Sequence, residues 1–180
     1  MKELDLAVNI NIGSEDALVA LVSRITNADA VKKELIAGSL AASLINCTHI
    51  LDSRQLQLAI FKARIAQTRE KMTTRNVYSE ILYNLSPNRQ ITQAFKLFGI
   101  QDTDTACLVI TVGDSKESNM HQVVSLLESG GAVCLPFEDI SQFNSLESIE
   151  KLYKIQEEEL KVGTLSEAVV SRIAAKEIIA

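Results

Sequence analysis

Apolar residues at Leu4, Leu6, Val8, Ile10 and Ile12 are interleaved with Asp5, Ala7, Asn9 and Asn11. A period of two predicts a strand with one buried face, and Gly13-Ser14 offers a turn after it. The following run, Ala17 to Ile25, reads two ways. Leu18, Val19, Leu21, Val22 and Ile25 fit a short helix, and ALVALV fits a buried strand paired with the first as a hairpin equally well. Asn27 is a candidate cap for a helix over Ala28 to Ile36, with Gly38 as its stop. Ser39 to Asn46 is low in charge and reads as extended or irregular, and Thr48 to Leu51 reads as a short buried strand.

Three helical patterns then follow between Asp52 and Gly99. In the first, roughly Arg54 to Lys71 and capped by Asp52 or Ser53, the apolar residues fall on two arcs when wound at about 100° per residue. Leu56, Ala59, Ile60, Ala63 and Ala66 form one arc, and Leu58, Phe61 and Ile65 lie nearly opposite, so the helix is expected to be covered on two sides. Lys62 and Arg69 share one seam between the arcs; Gln57, Arg64 and Lys71 share the other, where long stems pack while charges reach water. The second helix starts at the candidate cap Asn76, carries Val77, Tyr78, Ile81, Leu82 and Leu85, and stops at Ser86-Pro87-Asn88 because proline disfavours helix before it. The third is marked by Ile91, Ala94, Phe95 and Phe98, with Lys96 in its last turn and Gly99 placed to close it in the left-handed conformation.

Beyond the polar connection Gln101 to Thr105, the β-branched run Ala106 to Val112 predicts a central strand. A solvated loop over Gly113 to Asn119, a helix from about Met120 to Glu128 ended by Gly130-Gly131, and a strand over Ala132 to Phe137 follow; Pro136 places that strand at an edge or at its own end. Leu146 to Lys154 reads as helix and the glutamates 157 to 159 as a solvated turn. Thr164-Leu165-Ser166-Glu167 is a capping box opening a helix through Val169, Val170 and Ile173. The fold class is α/β or α+β: a single mixed domain, residues 1–180, with a small sheet packed by six or so helices.

Composition changes this picture in one respect. The formal charge is −5, yet between Ser53 and Gly99 there are eight Lys or Arg against two Glu, a net of +6. A basic region on an acidic body can engage a polyanion locally, although charged seams on packed helices need no partner. Cys47, Cys107 and Cys134 are far apart in apolar or strand-like contexts, as expected of reduced, buried thiols in an intracellular protein. The N-terminus has no secretion-signal pattern, and no stretch reaches bilayer-spanning length. Chemistry is sparse: there is no phosphate-binding glycine loop with its lysine, and His49 and His121 lack partners at metal spacing. His49 within THIL reads as a hydrogen-bonded structural residue and His121 as an exposed helix-start residue. Neither Ser86 nor any cysteine has a visible base beside it. Glu80, five residues after Arg75, is placed to contact it and hold the intervening loop.

Lys71-Met72-Thr73-Thr74-Arg75-Asn76 followed by Glu80-Ile81-Leu82-Tyr83-Asn84-Leu85-Ser86-Pro87-Asn88 closely resembles the TPRKB family, the kinase-binding small subunit of the KEOPS, or EKC, complex. The resemblance extends to Gly38-Ser39, Ser43-Leu44-Ile45-Asn46 and Lys62-Ala63, and to Ile91, Ala94, Lys96, Phe98, Gly99 and Ile100. It reappears at Lys151-Leu152-Tyr153-Lys154 and Gly163-Thr164-Leu165, and is weaker between Gly113 and Asn144. It implies a noncatalytic, cofactor-free domain bound directly to a small atypical kinase, with the threonylcarbamoyl transferase and other subunits as indirect partners, tRNA as a further partner, no membrane, and a cytoplasmic and nuclear location. The assembly makes threonylcarbamoyladenosine in tRNA, and archaeal relatives hold the tRNA 3′ end. The resemblance also favours strand for Ala17 to Val22. The residues placed in tRNA contact are Lys62, Arg64, Arg69, Lys71, Arg75 and Arg89, with Tyr83 as a stacking face. Kinase contact is placed on the last helix at Leu165, Val169, Val170 and Ile173. The competing class is a small nucleotide-dependent transferase assembled from distant residues.

Overall fold

The computed structural model describes residues 4–179. A 3-10 turn at Leu4–Leu6 leads into β1 (Val8–Asn11) and β2 (Asp16–Ser23), and then α1 (Ala28–Ala37) and β3 (Ser43–Asn46). A 3-10 turn at Cys47–His49 precedes α2 (Ser53–Thr68), α3 (Val77–Leu85) and α4 (Ile91–Phe98). β4 (Ala106–Thr111), α5 (Lys116–Ser129), β5 (Val133–Leu135), a 3-10 segment at Phe137–Gln142, α6 (Leu146–Tyr153), α7 (Glu157–Leu160) and α8 (Leu165–Ile179) complete the order.

The sheet runs β1-β2-β4-β3, with every pairing antiparallel. The first half of β2 pairs with β1 and its second half with β5, so those two strands lie end to end along one edge. Alternate residues of β2 face opposite layers. Ala17, Val19 and Leu21 join the core under α2, α3, α4, α6 and α8. Leu18, Ala20 and Val22 join Val31 of α1 and Met120, Val123, Val124 and Leu127 of α5. Burial on both faces makes this strand apolar without alternation, which is why periodicity left Ala17 to Ile25 open between helix and strand.

The thicker helical layer is pinned by buried side-chain amides and hydroxyls. Gln55 Nε2 donates to the His49 carbonyl and to Tyr153 Oη, both at 2.9 Å, while its Oε1 accepts the Leu51 N–H. Tyr153 Oη donates to the Leu85 carbonyl at 2.6 Å, and Asn84 Nδ2 to the Ala59 carbonyl at 3.1 Å. Leaving any of these buried groups without its partner would cost about 1–3 kcal/mol.

Several elements differ from their sequence expectation. The short strand lies at Ser43–Asn46 and not at Thr48 to Leu51, because the Asn46 side chain accepts the Thr48 N–H at 2.8 Å and turns the chain. The first strand begins only at Val8. α5 starts at Lys116, inside the expected loop, since Asn119 N–H already bonds to the Ser115 carbonyl and a polar first turn is simply solvated. The glutamate run forms α7: Glu159 Oε1 accepts the Gln156 N–H and completes a capping box. β5 stops at Leu135, and Pro136 opens a 3-10 segment. Gly99 is extended (φ −71°, ψ 148°), not left-handed, and a Cβ there would lie 2.6 Å from the Phe95 carbonyl oxygen. Gly99 bridges to Ile45 and Ile100 N–H bonds to the Leu44 carbonyl, which covers the outer edge of β3.

Candidate functional site

The inner arc of α2 is buried at Leu56, Ala59, Ile60 and Ala63. Its outer arc is covered only in part. Leu58 and Val170 are half-buried and Phe61 is 41% exposed. With Ile12, Gly13, Arg54, Gln57, Ser166 and Glu167 they line a groove of about 480 Å³ between α2, α8 and the β1–β2 turn. A second depression of about 240 Å³ shares Phe61 and continues the arc through Ile65 to Arg69. The first turn of α8 is rigid at the groove's rim: Thr164 N–H donates to Glu167 Oε2 at 2.8 Å and Glu167 N–H to Thr164 Oγ1 at 3.2 Å, the capping box expected from sequence. These bonds hold the Glu167 carboxyl below its ordinary range, with Arg54 adding to the effect.

α8 thus presents Leu165 and Val170 as half-buried side chains, whereas Val169 and Ile173 are fully enclosed in the core beneath them. The two residues that complete the groove's apolar floor, Leu58 and Phe61, sit on α2. Sequence reading placed them on the second arc without identifying what would cover it.

The cationic residues divide by partner. Lys62 Nζ donates to the Ile173 carbonyl and to Glu177 Oε2, both at 2.8 Å. Arg89 donates to the Glu177 carbonyl. Both therefore bond to the C-terminal half of α8, the end of a helix at which a cation is favoured. Arg64 pairs with Glu15, its Nε at 3.0 Å. Arg69, Lys71 and Arg75 are exposed and have no ion pair among the described residues. All three lie at the α2–α3 connection.

That connection is tightly built. Arg69 N–H bonds to the Ile65 carbonyl and Lys71 N–H to the Ala66 carbonyl at 2.8 Å, around a left-handed Glu70 (φ 54°). Glu80, buried at 3% exposure, accepts the Thr73 N–H at 3.1 Å, the Thr74 N–H at 2.8 Å and Thr74 Oγ1 at 2.7 Å. The expected contact of Glu80 with Arg75 is replaced by this backbone cradle, because Glu80 points inward and Arg75 outward. Asn76 caps α3 by accepting the Ser79 N–H at 2.9 Å. Tyr83 is 5% exposed with Lys176 over its ring, so it offers no stacking face. Beside the loop, Asn76, Tyr78, Ser79 and Leu82 line a pocket of about 320 Å³ with Leu35, Leu40 and Ser43. The half-buried ring here is Tyr78, which sequence periodicity had assigned only to packing.

His49 is structural: its Nδ1 lies 3.4 Å from the Leu97 carbonyl, its ring is 5.8 Å from Phe98, and burial lowers its pKa. Among the described residues no cluster of three or more His, Cys, Asp or Glu side chains could hold a metal ion, and no helix is long and apolar enough to cross a membrane.

An open apolar groove beside a rigid cationic loop, on a sheet packed by helices on both faces, defines a binding module. The chain belongs to the kinase binding protein CGI-121 family, whose model matches residues 22–177. It is 36% identical over 159 residues to the EKC/KEOPS complex subunit TPRKB of Danio rerio, covering 88% of this chain and 89% of that protein. The EKC/KEOPS complex subunit cgi121 of Aspergillus terreus is 29% identical over 142 residues (76% and 73% covered), and that of Schizosaccharomyces pombe 25% over 141 (76% and 80%).

Proposed function

We propose that this chain is a noncatalytic subunit of the EKC/KEOPS complex that docks the complex's small kinase in the α2–α8 groove and helps hold tRNA at the α2–α3 loop, in support of threonylcarbamoyladenosine formation in cytoplasm and nucleus. The observation that carries the docking half is the uncovered outer arc of α2, where Leu58 and Phe61 meet Val170 in a groove whose rim bears Arg54, Gln57 and Glu167. Apolar floors with polar rims are the anatomy of helix-in-groove recognition. Leu165 flanks it; Val169 and Ile173 support it from inside.

For tRNA, Arg69, Lys71 and Arg75 supply phosphate neutralisation, and the pocket beside Asn76 and Tyr78 is a seat for an unstacked base of the 3′ end. Lys62, Arg64 and Arg89 contribute to the local potential while bonded within the chain.

Calorimetry and size exclusion with the cognate kinase test the first half. Val170→Asp should retain the circular dichroism spectrum and weaken binding at least about tenfold, on the scale of a central interface contact; unchanged affinity would remove the groove from the interface. For the second half, tRNA affinity in the assembled complex is measured at several salt concentrations. Arg75→Ala should lower it and reduce the log–log salt slope by about 1. Should Arg75→Ala and removal of the tRNA 3′ nucleotides both leave affinity and slope unaltered, the 3′-end site is wrong.

A further inference from the structure

Lys176 is the one lysine among the described residues that the fold encloses, at 1% exposure. Its Nζ donates to the Tyr83 carbonyl and sits 3.4 Å from the centroid of the Tyr83 ring. The Tyr83 carbonyl lies in the last turn of α3, where its other donor is the Ser86 N–H at 3.3 Å, so the ammonium supplies the stronger partner at a helix end that favours a cation. Enclosing an ammonium is costly unless it is hydrogen-bonded, and burial lowers the Lys176 pKa to about 8. An apolar side chain would fill this space without that cost; what the charge adds is a hold on the end of α3.

What it holds is one turn from the loop's anchor. Glu80 and Tyr83 are three residues apart and share a face of α3. Glu80 carries the Thr73 and Thr74 backbone, and the Tyr83 hydroxyl faces the Thr73 side chain. The chain of contacts runs from α8 through Lys176 to Tyr83, and from α3 to the loop that presents Arg69, Lys71 and Arg75. Lys62 from α2, Arg89 from the α3–α4 connection and Glu177 from α8 surround the same point, and Lys62 and Arg89 both bond to Glu177.

We infer that Lys176 is a positioning residue for the cationic loop: seated on Tyr83, it fixes the end of α3 and thereby the Glu80 cradle, so that the docking of α8 orders residues 69–76. The consequence for tRNA rests on the reading of that loop given above; the ordering itself does not.

The test uses the full chain and Lys176→Met, with amide hydrogen exchange read at Thr73 and Thr74 and referenced to β4 amides. Exchange at the two threonines should rise about tenfold or more relative to β4. Val169→Ala, a buried change in the same helix two turns away, should move the threonines no more than it moves β4. Lys176→Gln, which keeps a donor for the Tyr83 carbonyl, should give an intermediate value, and it decides the matter against wild type if the Met variant does not fold. In the assembled complex Lys176→Met should weaken tRNA binding about fivefold or more with the salt slope retained, while kinase affinity is unchanged. Unchanged threonine exchange, or an equal rise in Val169→Ala, overturns the positioning role. If Lys176→Met opens the loop but Arg75→Ala leaves tRNA binding untouched, the positioning role stands and the tRNA reading of the loop is what fails.

Discussion

At the residue scale, burial decides which ionisable groups respond to pH and to reagents. The ordinary Lys176 pKa is 10.5 and burial lowers it to about 8 in the fold, so folding disfavours its ammonium form. A group with a depressed basic pKa penalises the native state below that value and ceases to do so as pH rises toward the unfolded value. Wild type should therefore gain stability relative to Lys176→Met between pH 7.5 and 9.5, a difference on the order of 2 kcal/mol, read from urea midpoints at each pH. No gain would mean that the ammonium is fully compensated by its partners. The thiols behave in a parallel way. Burial, with Asp104 adding, pushes Cys47 up to about 12, and burial also raises Cys107 well above its ordinary value. Because the thiolate is the nucleophile, iodoacetamide on the native protein should label the half-buried Cys134 first, with Cys47 and Cys107 labelled only on unfolding, as mass spectrometry of timed digests would show. The sequence expectation of buried thiols holds for Cys47 and Cys107, whereas Cys134, on the short edge strand β5, is half-buried. The sequence also marked His49 as structural, whereas nothing in it singles out Lys176, whose burial depends on α3.

At the element scale, the caps of α2, α3 and α8 were legible because they are local, whereas the candidate cap Asn27 makes no capping bond to α1 and turns to the Leu126 carbonyl. Asp52, Asn76 and the Thr164–Glu167 box all accept the backbone N–H groups expected of them. Gly130 shows what local reading omits. It ends α5 as its type predicts, and beyond that a Cβ there would lie 2.6 Å from Asn27 Cγ, while the Asn27 side chain donates to the Leu126 carbonyl at 2.8 Å. Thr26 Oγ1 donates to the Gly130 carbonyl at 2.6 Å, so the start of α1 is stitched to the end of α5. Gly130→Ala must push Asn27 off its bond, and should lower stability by about 1–3 kcal/mol in urea unfolding. A neutral result would mean that the junction relaxes freely. The error at Thr48 to Leu51 has the same origin: an apolar run was read without the Asn46 side chain that turns the chain before it.

At the scale of the whole molecule, the proposed docking groove draws on both ends of the chain, with Ile12 and Gly13 on one side, Leu58 and Phe61 in the middle, and Val170 on the other. A partner that covers it binds only the folded arrangement. Saturating kinase at 100 times its dissociation constant should stabilise this chain by about 2.7 kcal/mol, seen as slowed proteolysis of the α8 region, and Val170→Asp should abolish most of that protection. Protection that persists in the variant would place the kinase elsewhere.

What the sequence by itself determined was most of the helices and their inner faces: the amphipathic arcs of α2, the caps of α2, α3 and α8, the central strand and the family membership all depend on spacings within one segment or on matched residues along the chain. What only the tertiary structure decided was which surfaces stay open and which charges stay free. Lys62, Arg89 and Lys176 look like Arg75 in one dimension, but their partners lie 111 and 115, 88 and 93 residues away, respectively. Val169 and Val170 are neighbours on one helix, and packing against α2 encloses the first while leaving the second at the groove. Helical and strand periods follow from the geometry of a single backbone segment, whereas burial and charge pairing are relations between segments that folding alone brings together.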